Sequence, residues 1–127
     1  MSKGRQQAFT LIEVLVVMAI VAMLLSLVTP RYFASIERSR ETTLRHDLAV
    51  MRDAIDKYYS DKNRYPNSLE ELVHGQYLRA IPEDPMTESA ETWIATPPPD
   101  PNALGVVYDV HSGATGQAAD GSSYMLW

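Results

Sequence analysis

Cysteine is absent from the 127 residues, which excludes a disulfide framework, a thiol nucleophile, a Cys-ligated zinc and an iron–sulfur centre. There is no GxxxxGK[ST] run, so the chain carries no phosphate-binding loop of that type. His46, His74 and His111 are scattered without ligand spacing and read as ordinary surface or hydrogen-bonded histidines. Ser112 lies beside His111 but outside a GxSxG elbow, and adjacent residues rarely form a nucleophile and its base. The formal net charge of −5 makes generic binding of nucleic acid or anionic lipid unfavourable. No catalytic residue is expected.

Charge is scarcest between Arg5 and Arg31, where the run AFTLIEVLVVMAIVAMLLSLVTP holds a single ionisable residue, Glu13. An acid at a helix centre in lipid costs roughly 2.5–3.5 kcal/mol and usually has a functional reason. The uninterrupted apolar stretch from Val14 to Val28 is short of the ~20 residues needed to span a bilayer. It reaches that length only when extended back through Ile12, Leu11 and Phe9, with Glu13 included. Thr10 and Glu13 also have capping-box spacing, and a carboxylate in a first turn suits the helix dipole. A cleaved secretory signal is the first rival, because Lys3 and Arg5 form a basic leader. The SLVTPRYF end of the run, however, offers no small-x-small site and leads directly into a helical pattern. Counting Arg31, Arg38, Arg40 and Arg45 against Lys3 and Arg5, charge alone would put the C-terminal side inside.

Beyond Pro30, Leu44, Leu48, Met51, Ile55 and Tyr58 recur at spacings of four and three, one apolar face of an amphipathic helix. Arg38, Glu41, Arg45, Arg52, Asp53, Asp56 and Lys57 occupy its other faces and read as solvated, with Glu41–Arg45 and Asp53–Lys57 at the favourable i,i+4 spacing. Pro30 predicts a kink and not a stop. One helix from Phe9 to about Lys62, roughly 80 Å long, follows from these patterns. Asn63 is placed to end it in the left-handed region, with Pro66 blocking continuation. Ser68 and Glu71 form a capping box for a short helix to about His74, closed by Gly75. Thr92–Thr96, Val106–Val110 and Ser123–Leu126 are candidate strands, the first two separated by the rigid PPPDPN loop. The fold class expected is α+β, a long N-terminal helix on a small antiparallel β-sheet.

The residues AFTLIEVLVV followed by Pro30 resemble the type IV prepilin class, shared by pilins and by the pseudopilins of type II secretion. The phrases DKNRYPNSLEELV, GQYLRAIPEDP and VVYDVHSGATG…ADGSSYMLW are similar to the major, G-type pseudopilins within that class. The resemblance implies a pilin-like fold and cleavage by a prepilin peptidase between Ala8 and Phe9, followed by N-methylation of Phe9. It assigns assembly to Phe9, Glu13 and Pro30, with Glu13 pairing with the terminal ammonium of a neighbouring subunit. It divides the chain into a leader (1–8), a transmembrane and assembly helix (9–30) and a periplasmic head (31–127). It also implies a single-pass inner-membrane protein with a cytoplasmic N-terminus, against the charge count. The implied partners are further copies in a homo-oligomeric filament, minor pseudopilins, the peptidase, the inner-membrane secretion platform and the lipid bilayer, with no nucleic acid.

Two departures stand out: Ala8 replaces the usual glycine before the cut, and Ala22 replaces a glycine often found eight residues before the proline. A type IV pilus subunit, major or minor, is the alternative, disfavoured because many of those close their C-terminal region with a disulfide. A membrane-anchored enzyme or binding module is the more distant one. The resemblance further implies calcium in the C-terminal loop. Calcium takes six to eight oxygens with several carboxylates, whereas His111 to Trp127 supplies only Asp120, with Ser112, Ser122 and the preceding Asp109 nearby. A glycine-rich loop held by packing of Tyr124 and Trp127 is expected instead, with no metal site and no cofactor.

Overall fold

An apolar run, a charged amphipathic stretch and no glycine between Arg5 and Lys62 favour a single uninterrupted helix. In the computed structural model, which describes residues 9–127, α1 occupies Leu11–Lys62 and passes through Pro30. The chain forms two units, one ending at Glu37 and one comprising Arg38–Trp127. In the first unit the residues from Phe9 to Ser35 are exposed, and the apolar part of α1 has the length and composition to cross a membrane.

In the second unit the periodic face becomes a core. Leu44, Leu48, Met51, Ile55 and Tyr58 are all buried, joined by Ala54, and they share one cluster with Leu72, Leu78, Val107, Val110, Ala114, Ala118 and Tyr124. Truncating any large member to alanine is worth about 2–5 kcal/mol. Asn63 ends α1 at φ 54, its N–H on the Tyr59 carbonyl at 2.8 Å. Next comes α2, Leu69–His74, capped by Ser68 Oγ, which accepts the Glu71 N–H at 3.3 Å.

The second half of that capping box differs from expectation. The Glu71 carboxylate takes the N–H of Asn67, at 3.0 Å, and the Tyr58 hydroxyl, at 3.1 Å. The cap is thereby tied to α1. Gly75 stays near φ −81, and the left-handed turn falls one residue later, at Gln76 with φ 65.

The sheet has two antiparallel strands, β1 (Ile94–Thr96) and β2 (Asp109–His111), with Ile94 opposite His111 and Thr96 opposite Asp109. The architecture is α+β and pilin-like, but the strands are shorter than the sequence predicts. Val106 and Val107 donate their N–H groups to the Pro66 carbonyl, at 3.1 and 2.9 Å, and Tyr65 donates to Leu104 at 2.9 Å. That commitment withholds residues 104–107 from pairing with β1. The third expected strand, Ser123–Leu126, is instead a 3₁₀ turn over Tyr124–Leu126. Its Leu126 and Trp127 N–H groups turn back onto Ser123 and Tyr124, at 3.0 and 3.3 Å.

Acidification should weaken this head in a defined way. The Asn67 N–H, with help from the Tyr58 hydroxyl and Arg64, holds the Glu71 carboxyl below its ordinary value of 4.5. A lowered native pKa contributes stability above the unfolded value, lost as pH falls through the native one. Thermal melts should therefore drop between pH 5 and pH 3, and Glu71→Gln should be less stable at neutral pH but show a shallower acid slope. An unchanged slope in that variant would remove Glu71 from the explanation.

Candidate functional site

The expected assembly residues fall on the first unit. Phe9 is exposed ahead of the helix, Glu13 lies in the first turn of α1, and Pro30 is inside it. Ala8 lies outside the described residues. Thr10 caps the helix by accepting the Glu13 N–H on its hydroxyl at 3.1 Å, while its carbonyl takes the Val14 N–H at 3.1 Å. The reciprocal arm of a capping box is not made, and the Glu13 carboxylate has no hydrogen-bond or ionic partner among the described residues. Among the described residues, then, this acid stands unpaired on an exposed apolar helix.

The polar atoms further along that helix are hidden locally. The Ser26 hydroxyl donates to Met23 O and the Thr29 hydroxyl to Leu25 O, each at 2.7 Å. Such back-bonding removes the need for water or a partner, so these residues do not compete with Glu13 as functional polar groups. The aliphatic side chains around Glu13, Leu11, Ile12, Val14, Leu15, Val16 and Val17, are exposed to whatever surrounds the helix.

A second concentration of polar chemistry lies where α1 meets the C-terminal loop. Three charges that read as solvated are engaged there. Glu41 accepts the Ala119 N–H, at 3.1 Å, and the Tyr124 hydroxyl, at 3.0 Å. Arg45 does not pair with Glu41 but lies 3.8 Å from the centre of the Trp127 ring. Arg52 donates to Asp109 at 2.8 Å, to the Val110 carbonyl at 3.0 Å and to the main-chain oxygen of Trp127. The expected Asp53–Lys57 pair does form, at 3.0 Å. Sequence reading missed the other contacts because their partners lie 57 to 83 positions away.

The loop's polar side chains bond within the loop. Asp120 Oδ1 accepts the N–H and hydroxyl of its own Ser122, at 2.9 and 2.6 Å, and these bonds hold its carboxyl below the ordinary range. Ser122 Oγ also receives the Trp127 indole N–H at 2.8 Å. No group of three or more His, Cys, Asp or Glu side chains among the described residues is placed to share a metal ion. Tyr124 and Trp127 stack edge to face at 5.1 Å, the packing expected of them.

Ser112 is structural by its surroundings. Fully buried, it donates to the equally buried Asp84 at 2.5 Å and accepts the Ala114 N–H at 3.1 Å. His111 Nε2 faces Asp109 at 3.5 Å. A buried hydroxyl that donates to a buried carboxylate, with the neighbouring imidazole facing Asp109, has no access to substrate.

An exposed apolar N-terminal helix with one acid in its first turn, continuing into a small α+β head, defines the prepilin class. Residues 3–29 match the prokaryotic N-terminal methylation motif. The chain is 35% identical over 101 residues to the type II secretion system core protein G of Aeromonas hydrophila, covering 67% of this chain and 71% of that protein. Its identity to the core protein G of Klebsiella pneumoniae is 34% over 97 residues (64% and 69% covered), and to that of Vibrio cholerae 33% over 101 residues (67% and 69%). No solved structure matches the chain. The chain belongs to the type II secretion system core protein G family, the major pseudopilins. It is a structural pseudopilin and not an enzyme, and its apolar helix is an inner-membrane anchor.

Proposed function

We propose that this pseudopilin is cut between Ala8 and Phe9, N-methylated on Phe9, and polymerised through an ion pair between Glu13 and the terminal ammonium of a neighbouring copy. The observation that carries this reading is the Glu13 carboxylate, unpartnered among the described residues, in an otherwise apolar and exposed segment of the helix. In hydrocarbon such a group is costly until a counter-charge reaches it. Methylating an amine leaves its positive charge in place, so the modified Phe9 supplies that counter-charge.

Before assembly, residues 9–30 hold the subunit in the inner membrane, with the leader on the cytoplasmic side and the head in the periplasm. The head comprises residues 31–127. Extraction into a growing filament exchanges lipid around the apolar helix for equivalent helices of other copies. The filament is a periplasmic pseudopilus, joined by minor pseudopilins and built on an inner-membrane platform that supplies the energy from an ATPase. The chain's own part is mechanical, helping to move folded proteins across the outer membrane.

Overexpression together with the rest of a type II secretion system tests this. Electron microscopy should show pilus-like fibres containing this chain, and deletion of its gene should leave exported proteins in the periplasm. Normal export in the deletion strain, with fibres needed instead for surface motility or DNA uptake, would make it a type IV pilus subunit.

A further inference from the structure

We infer that the C-terminal loop of this pseudopilin is held by an arginine clasp in place of a metal ion, so that the head folds without calcium. This goes beyond the filament reading and does not depend on it. The resemblance to major pseudopilins implies calcium here, and the residues present do not fit it.

Several of the loop's oxygens already accept hydrogen bonds. Asp120 Oδ1 accepts from Ser122, and Ser122 Oγ accepts the Trp127 indole N–H. The Gly116, Ala118 and Ser122 carbonyls accept the N–H groups of Tyr124, Gly121 and Ala118, at 3.2, 2.9 and 2.7 Å. A calcium ion seeking six to eight oxygens would have to break most of these bonds. It would also meet the guanidinium of Arg45 over the Trp127 ring and that of Arg52 at the Trp127 main-chain oxygen. Two fixed cations beside a loop whose own segment supplies one carboxylate side chain, Asp120, and whose neighbour Glu41 already accepts from Ala119 and Tyr124, are the reverse of a dication site.

The task a metal performs, tying distant segments through shared oxygens, is performed here by Arg52. Its planar fork reaches Asp109 and Val110 of β2 and the end of the loop at Trp127 from one position on α1. A rigid guanidinium suits such multiple donation where a point charge does not. Glu41 adds a second tie three turns earlier through Ala119 and Tyr124. Arg45, one turn after Glu41, covers the indole face, a cation–π contact that also shields the Trp127–Ser122 bond. The clasp therefore joins three positions of α1 to the loop without any ion.

The test uses the full chain in detergent, melted by near-ultraviolet circular dichroism in calcium chloride and in EDTA. The wild-type midpoint should be the same in both. Arg52→Met should lower it by roughly 10 °C in either buffer, the scale set by losing several charge-assisted bonds in a domain this size. Arg52→Lys, which keeps the charge but not the fork, should fall between. A wild-type midpoint that drops by roughly 10 °C in EDTA and returns with calcium, the response of a metal-held fold, would overturn the inference. So would an Arg52→Met protein that melts like wild type. If Arg52→Met does not accumulate, Arg45→Met takes its place with the same expected independence of calcium and a smaller drop. An Arg45→Met protein that calcium restored would count against the clasp.

Discussion

Glu13→Ala should leave the chain inserted in the inner membrane and abolish its assembly into filaments. The substitution removes the only charged side chain from the apolar segment, so partition into lipid improves by about 2.5–3.5 kcal/mol if the acid sits deep in the bilayer. At the same time it deprives a neighbour's terminal ammonium of its partner. Breaking a buried pair by removing one member costs about 3–5 kcal/mol, and in a filament that loss recurs at every subunit. A deficit of that size per contact lowers each association constant by two to three orders of magnitude or more. Glu13→Asp keeps the charge one methylene short of its partner and should retain partial assembly. Fibre counts and secretion, measured at matched protein levels, check both. Wild-type assembly by the alanine variant would reduce Glu13 to a first-turn residue that suits the helix dipole.

The second large effect is expected far from the membrane, at Gly105. This residue has φ 98, and a Cβ there would stand 2.0 Å from the Tyr65 carbonyl oxygen and 2.5 Å from its carbon. Both obstacles are backbone, so no rotamer change relieves them. Gly105→Ala must therefore push residues 104–107 off Tyr65 and Pro66, losing three main-chain hydrogen bonds and drawing Val107 out of the core. The combined cost is on the order of 3–5 kcal/mol, a large part of a small domain's stability. Gly121 is the control, with φ 87 but nothing within 4 Å of an added Cβ. Gly121→Ala should cost only about 1–2 kcal/mol for its left-handed backbone. Urea unfolding of the two variants separates packing from conformation. Equal midpoints would show that the Tyr65 contact contributes nothing.

The parts of the molecule that were legible in the sequence are those governed by local rules. Leu44 to Tyr58 declare the buried face of α1 because helical period is a property of neighbouring residues. Asn63, and Ser68 with Glu71, mark one helix end and one start because capping chemistry acts within a turn. Pro30 reads as a kink and not a stop, and α1 does continue through it. The strands were less legible: Val106 and Val107 have the β-branched character of a strand, yet their N–H groups go to Pro66, forty positions earlier in the chain. The Ser123–Leu126 segment carries no local signal for the turn its N–H groups make.

The same division runs through the candidate site. Glu13 stands out because one acid in a long apolar run is anomalous whatever the fold. Glu41, Arg45 and Arg52 looked like a solvated helix face because nothing nearby shows that the loop around Trp127 returns to α1. For Arg52, only the tertiary structure brings Asp109, Val110 and Trp127 within reach of one guanidinium.

The central claim is that processing creates the cation Glu13 needs. Mass spectrometry of the protein purified from membranes of an active secretion strain tests it most directly. The account predicts a mature chain beginning at Phe9 and carrying one methyl group on its terminal nitrogen. A chain that retains the Lys3 and Arg5 leader while still forming filaments, or one that starts after Val28, would contradict it.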